Sequence, residues 1–207
     1  MTNTSRIKSP IALAQIVSLA IALIFILLSL WEGRNAVFLS LNADLGKKAD
    51  TFFSLCTDAA EGWIWIPYFI LLVTLFKKDG RVIIYNFLTS TLLTQIPKQF
   101  IWPNSTRPTA SGIDPLQIHT IPGIELHSLN SFPSGHTATA FTIFLLTVYF
   151  FPQPRIMMIG FIYALLCGYS RIYLGQHFPL DIAGGILVAI ASLHISQWLR
   201  HSLRNSI

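Results

Sequence analysis

The sequence predicts an all-α fold, an integral membrane bundle of six transmembrane helices forming one domain over residues 1–207. Three observations lead there. The chain is 53% hydrophobic with a mean hydropathy of +0.58, too apolar for a soluble domain of 207 residues. Only 11% of its residues are charged. Several apolar runs approach the roughly 20 residues that a helix needs to cross a bilayer.

The first span is the uninterrupted run 11–30. It follows Arg6 and Lys8, as a signal peptide would, but has no small-x-small exit before Trp31 and Glu32, so it reads as a retained anchor. The second, 59–76, carries Trp63, Trp65 and Tyr68 as interfacial aromatics. The third, 82–96, is more polar and is expected to close at Pro97. The fourth, 137–151, ends at Pro152 and Pro154, the fifth is 156–169 and the sixth is 182–199. The third to fifth are short, so their ends are expected in the interface or under protein. Gly185 and Ala189 give the sixth a small-residue face for close packing.

The formal charge of +5 comes from Lys and Arg scattered through short loops, which fits topology determinants and an anion site better than a nucleic-acid-binding stripe. Cys56 and Cys167 form no metal-ligand spacing and predict no disulfide scaffold. With the N-terminus in the cytoplasm, that side carries eight basic residues: Arg6, Lys8, Lys77, Lys78, Arg81, Arg155, Arg200 and Arg204. The opposite side carries six: Arg34, Lys47, Lys48, Lys98, Arg107 and Arg171. Three of these six (Lys98, Arg107 and Arg171) are candidates for a site, so the remainder favours both termini inside. The polar clusters at the ends of the third, fourth and fifth spans then share the outer face.

His177 precedes Asp181 by four residues, with Pro179 between them. Proline suits the first turn of a helix because its missing N–H would have no partner there. Asp181 then lies in the first turn of the sixth span, where the helix dipole favours a carboxylate. If it meets His177, it accepts from one ring nitrogen and leaves the other free for a substrate, making His177 a candidate nucleophile. The alternative is an interfacial histidine beside a capping aspartate.

Pro133-Ser134-Gly135-His136 stands just before the fourth span. Ser134 and Gly135 at a helix N-terminus would present free N–H groups to an anion, and His136 would act as a general acid. An ordinary serine cap with a chance histidine is the other reading. Arg171, Arg107 and Lys98 supply positive charge; arginine's fork matches phosphate oxygens, and lysine acts as a point charge. Snorkelling to the interface would explain each one singly.

Together these residues resemble the type 2 phosphatidic acid phosphatase family, also called lipid phosphate phosphatases. Its signatures are a Lys followed by Arg-Pro, then Pro-Ser-Gly-His, then Ser-Arg-x5-His-x3-Asp. The second is complete at Pro133 to His136 and the third from Ser170 to Asp181. The resemblance implies a phosphohistidine on His177, supported by Asp181, with His136 protonating the leaving group. It also implies that Lys98, Arg107, Ser134, Gly135 and Arg171 hold the phosphate, with no metal and no cofactor. One departure stands out: eight residues, Gln99 to Thr106, separate Lys98 from Arg107, against six in the usual pattern. On a straight helix this turns the two cations to opposite faces, so the helix is expected to break near Pro103.

A phosphatase of this kind would act on a lipid-linked phosphate or diphosphate from the periplasmic or extracellular side of the cell membrane. Undecaprenyl diphosphate leads by family analogy, with phosphatidylglycerophosphate, phosphatidic acid and lipid A phosphates also open. Its partners are then the lipid substrate and membrane lipid, and no nucleic acid. The rival readings are a metalloenzyme, a non-catalytic lipid-phosphate carrier and a lipid phosphotransferase with the same site. Six spans and small size argue against a soluble vanadium haloperoxidase, which shares the motif. His119, His127, His194 and His201 read as structural or solvated, and loop 109–132 as a lid or a plain connector.

Overall fold

A computed structural model describes residues 9–204; Arg6 and Lys8 and the last three residues of the expected domain lie outside that range. The described elements are helical, without strands. Helix α1, Pro10–Trp31, starts on a proline at its first turn and runs 22 residues, about 33 Å at 1.5 Å per residue. Its buried residues are all small: Ala14, Ser18, Ala22 and Ser29. They form the stripe along which α1 approaches the bundle, flanked by Ile11, Ile21 and Ile26, while its leucines with Ile16 and Ile24 face outward, as lipid contact requires.

Two short helices that apolar periodicity does not announce follow: α2, Arg34–Leu41, and α3, Lys47–Asp58. Each begins after a glycine at φ 84°, a conformation that a side chain strains. The expected second span, 59–76, is not one straight helix. It begins in a turn at Ala59–Glu61, passes a 3-10 turn and becomes α4, Trp65–Ile70, prolonged by a π turn through Leu75. α3 and Gly62–Leu75 meet at 53°, and only together do they have the length and apolarity of a span.

Asp79 caps α5, Gly80–Ile96, by accepting from the Arg81 N–H at 3.1 Å. Pro97 does not close this helix. The chain continues through a π turn, Pro97–Ile101, whose wider hydrogen-bonding pattern accommodates the missing N–H and the ring. The break comes at Trp102, slightly before the expected Pro103. Helix α6, Gly135–Phe150, is buried nearly all round and forms the bundle centre. Helix α7, Pro154–Tyr173, exceeds its expected range at both ends, and α8, Pro179–Arg204, runs 26 residues.

α1, α7 and α8 are each long and apolar enough to cross a membrane, and the bent α3–α4 pair makes a fourth candidate. At 17 and 16 residues, α5 and α6 fall short of that length. The core lies where α6 and α8 meet α1, α5 and α7. The C-terminal ends of α5 and α7 and the N-terminal ends of α6 and α8 converge at the cavity described next.

Candidate active site

The segment Leu174–Phe178 turns the chain from α7 into α8 and carries His177. The backbone N–H groups of Gln176 and His177 both donate to the Arg171 carbonyl, at 2.9 and 3.1 Å, which fixes the turn. Asp181 sits in the first turn of α8, as Pro179 predicts. Its Oδ2 accepts from the Phe178 N–H at 2.9 Å, the carboxylate half of a capping box. The same oxygen lies 3.3 Å from His177 Nδ1 and accepts from the Ser131 hydroxyl at 2.5 Å. His177 is only 1% exposed, and with Nδ1 engaged its other ring nitrogen is left for the cavity.

The cavity measures about 940 Å³. Among the expected site residues, His177, His136, Lys98, Arg107, Gly135 and Arg171 line it. Lys98 and Arg107 thus line the same cavity despite their longer spacing, with the π turn Pro97–Ile101 and the break at Trp102 between them. Ser134 does not reach the wall. It is fully buried, and its hydroxyl caps α6, accepting from the Thr137 N–H at 3.4 Å and the Thr137 hydroxyl at 2.9 Å. Asp181 stands behind His177.

Arg107 is fixed from behind: Nε donates to Leu129 O at 3.1 Å, and Nη1 donates to Gln176 O and Oε1 at 3.2 and 3.0 Å. Arg171, in the last turn of α7, donates through Nη1 to the Thr57 hydroxyl, while its buried Nε has no partner among the described residues. A buried guanidinium N–H without an acceptor costs free energy unless an anion completes it. Burial, and then the charges of Arg107, Lys98 and Arg171, hold the His177 pKa well below its ordinary value, so the ring is neutral. Burial and then Arg107 lower Lys98 to about 8. Burial likewise lowers Arg107.

Several contributors carry no motif. Glu61 Oε1 meets His136 Nε2 at 2.9 Å. Ser131 holds Asp181, Gln176 holds Arg107 and Thr57 holds Arg171. His127, read as solvated, lines the cavity. A signal for Glu61 did exist: it is the only charged residue in 59–76, and a charge in an apolar run calls for a partner. Ser131, Thr57 and Gln176 gave none, because hydroxyls and amides are common near helix ends. Asp44, Asp50 and His119 form a group of metal-type donors outside the cavity wall. His119 contacts both carboxylates, at 3.1 Å to Asp50 and 3.9 Å to Asp44, and the Tyr173 hydroxyl donates to Asp50 at 2.6 Å.

Buried cations around a neutral histidine at the ends of membrane helices define an anion-handling membrane protein. Residues 80–204 match the PAP2 superfamily, and the chain belongs to it. It is similar to the undecaprenyl-diphosphatase BcrC of Bacillus subtilis (strain 168), 38% identical over 77 residues, 37% of this chain and 39% of that protein. Phosphatidylglycerophosphatase B of the same organism is 31% identical over 121 residues, 54% of this chain and 53% of its own length. The chain thus spans about two fifths to one half of these relatives. The crystal structure of Aquifex aeolicus LpxE superposes with a TM-score of 0.68 at 33% identity, covering 78% of this chain and 93% of that one.

Proposed function

We propose that this protein is a metal-independent membrane hydrolase of lipid-linked phosphates or diphosphates, with undecaprenyl diphosphate as lead substrate. His177 is the nucleophile. The observation that carries this reading is the His177–Asp181 pair facing a cavity where the Arg171 Nε stands buried and unpaired. A phosphate oxygen supplies the missing acceptor. Lys98, Arg107 and the α6 N-terminus at Gly135 add positive potential around the other oxygens. Three cations at one anion site disfavour a divalent ion there, which supports a reaction without metal.

The reaction proceeds in two displacements. The free ring nitrogen of His177 attacks phosphorus in line, the bond from phosphorus to the leaving oxygen breaks, and His136 gives that oxygen a proton. Asp181 stabilises the imidazolium that forms. Water then attacks the phosphohistidine, the P–N bond breaks, and the water's proton returns to His136 as inorganic phosphate leaves. Ser134 acts by capping α6 and positioning Gly135 and His136. The basic-residue bias favours cytoplasmic termini, with the site on the periplasmic or extracellular side. Undecaprenyl diphosphate leads because the similar proteins include BcrC, named an undecaprenyl-diphosphatase. Phosphate release from undecaprenyl diphosphate, phosphatidylglycerophosphate, phosphatidic acid and glycerol phosphate, with and without chelator, tests it. Preferred turnover of undecaprenyl diphosphate in chelator is expected; release only with an added divalent ion would overturn the mechanism.

A further inference from the structure

We propose that Glu61 is a positioning residue that holds the His136 ring and raises its affinity for a proton while the site is empty, and yields that duty to the substrate's phosphate. The inference rests on His136 being the general acid. The two residues come from different parts of the fold, Glu61 from the bend between α3 and α4 and His136 from the first turn of α6. Their Oε1–Nε2 distance is 2.9 Å. The histidine side chain is 21% exposed and the glutamate 47%, so the carboxylate lies on the open side of the cavity and has room to turn away.

The surroundings explain the need for it. The wall around His136 carries Arg171 from α7, Lys98 from the turn after α5, Arg107 from the following loop and neutral His177 from the α7–α8 turn. Loop residues Glu125 and His127 and Asp58 at the end of α3 complete the charged and titratable wall, with Asp181 of α8 behind His177. Burial, and then the charges of Arg171 and Lys98, hold the His136 pKa down to about 4; the Glu61 carboxylate, hydrogen-bonded to Nε2, opposes them. A phosphate dianion brings the same compensation. Once it is bound, Glu61 releases Nε2, and the imidazolium is free to protonate the leaving oxygen. When water attacks the phosphohistidine, His136 recovers a proton and Glu61 can return as phosphate leaves. No proton is gained or lost by the pair over a cycle, and Glu61 forms no bond to phosphorus.

The role separates free enzyme from complex, and so do pH profiles. The falling limb of kcat/KM reports the acid in the free enzyme, whereas that of kcat reports it in the complex. Lys98 titrates nearby, so the comparison is variant against wild type. In Glu61→Gln, the falling limb of kcat/KM should move down by about one pH unit, the low end expected for removing an opposite charge at a partly exposed site. The kcat limb should stay within a few tenths of a unit. Glu61→Asp should restore part of the shift, and serves if the glutamine protein does not fold. Unchanged profiles, an equal shift in both limbs, or a pH-independent loss would each overturn the proposal. His136→Gln, measured alongside, isolates the underlying reading: wild-type turnover there removes the general acid itself, whatever Glu61 does.

Discussion

Gly185 of α8 lies directly against Ser134 at the start of α6: a Cβ at Gly185 would stand 2.7 Å from the Ser134 carbonyl oxygen and 3.0 Å from the Ala138 nitrogen. The neighbouring Gly184 would meet Phe132 at 2.5 Å. The Ser134 N–H also donates to the Asp181 carbonyl at 3.0 Å. This close approach sets how far the helix start bearing His136 stands from the one bearing Asp181 and His177.

Gly185→Ala is therefore expected to push α8 away from α6, because the obstacle is backbone and does not rotate aside. A cost of about 1–3 kcal/mol is reasonable for overpacking. Turnover should fall with it, since small misplacements of reacting groups cost on the order of 100-fold. Thermal unfolding in detergent and kcat measured together check this; wild-type values for both would show that the helices give way.

His177→Ala should abolish turnover while leaving the bundle folded. Asp181→Asn makes the sharper test. The amide oxygen retains an acceptor for the Phe178 N–H, but the negative charge that would stabilise the imidazolium is gone. A loss on the order of 100- to 10,000-fold in kcat with little change in melting temperature is expected. Trapping of labelled phosphate on wild type, and not on His177→Ala, follows from the phosphohistidine reading.

Helix α1 and the His177–Asp181 pairing were legible because each depends on local chemistry: an unbroken apolar run, and a proline that starts a helix two residues before Asp181. Pro97 misled because a single proline breaks an α-helix but fits a π turn, which depends on neighbouring packing. α2 and α3 were missed because they are short and mixed in polarity, and glycines set their starts. Asn42 shows the limit. Its amide donates to His119 O, Ile172 O and Tyr173 O at 3.1, 2.8 and 2.9 Å, and its oxygen accepts from the His119 N–H at 2.7 Å. Nothing in the sequence around Asn42 announces partners 77 to 131 residues away.

That clamp yields its own expectation. Asn42→Leu leaves the Tyr173 carbonyl at the end of α7 and the His119 N–H without their partner, just ahead of the turn that carries His177, while Ile172 O keeps the Gly175 N–H. The cost should be about 1–3 kcal/mol for buried polar groups left unsatisfied. Melting temperature and kcat should fall together, and a stability loss with unaltered kcat would limit the clamp to folding.

The pH dependence of turnover should be bell-shaped. His177, held neutral by burial and the surrounding cations, is ready to attack from a pH well below the ordinary histidine range. On the alkaline side, Lys98 is charged below about 8 and neutral above it, so its phosphate contact weakens as pH rises through that value. Because the bound phosphate favours the charged lysine and raises its pKa in the complex, KM should climb above about pH 8 until that higher pKa is reached. Lys98→Arg, which stays charged, should remove the climb in KM; the same climb in that variant would assign it to another group.

The cavity's shape leads to the substrate. Phe87, Ser90, Thr91, Thr94, Gln95 and Lys98 all line it, recurring at the three- and four-residue spacing of one helix face. From Lys98 to Phe87 this face runs about 16 Å along α5 at 1.5 Å per residue. At its far end Phe87 meets Trp65 of α4, ring centroids 5.4 Å apart. A head group at Lys98 can thus leave its tail along α5, between the bent α3–α4 segment and the bundle, without moving the tail into water. Binding energy from that remote tail helps to hold phosphorus in line with His177. Long-chain lipid phosphates should exceed glycerol phosphate in kcat/KM by orders of magnitude. Thr91→Phe, which fills the middle of the face, should raise KM for the long-chain substrate and leave the slow turnover of glycerol phosphate unchanged. Equal effects on both substrates would mean that the α5 face is not where the tail lies.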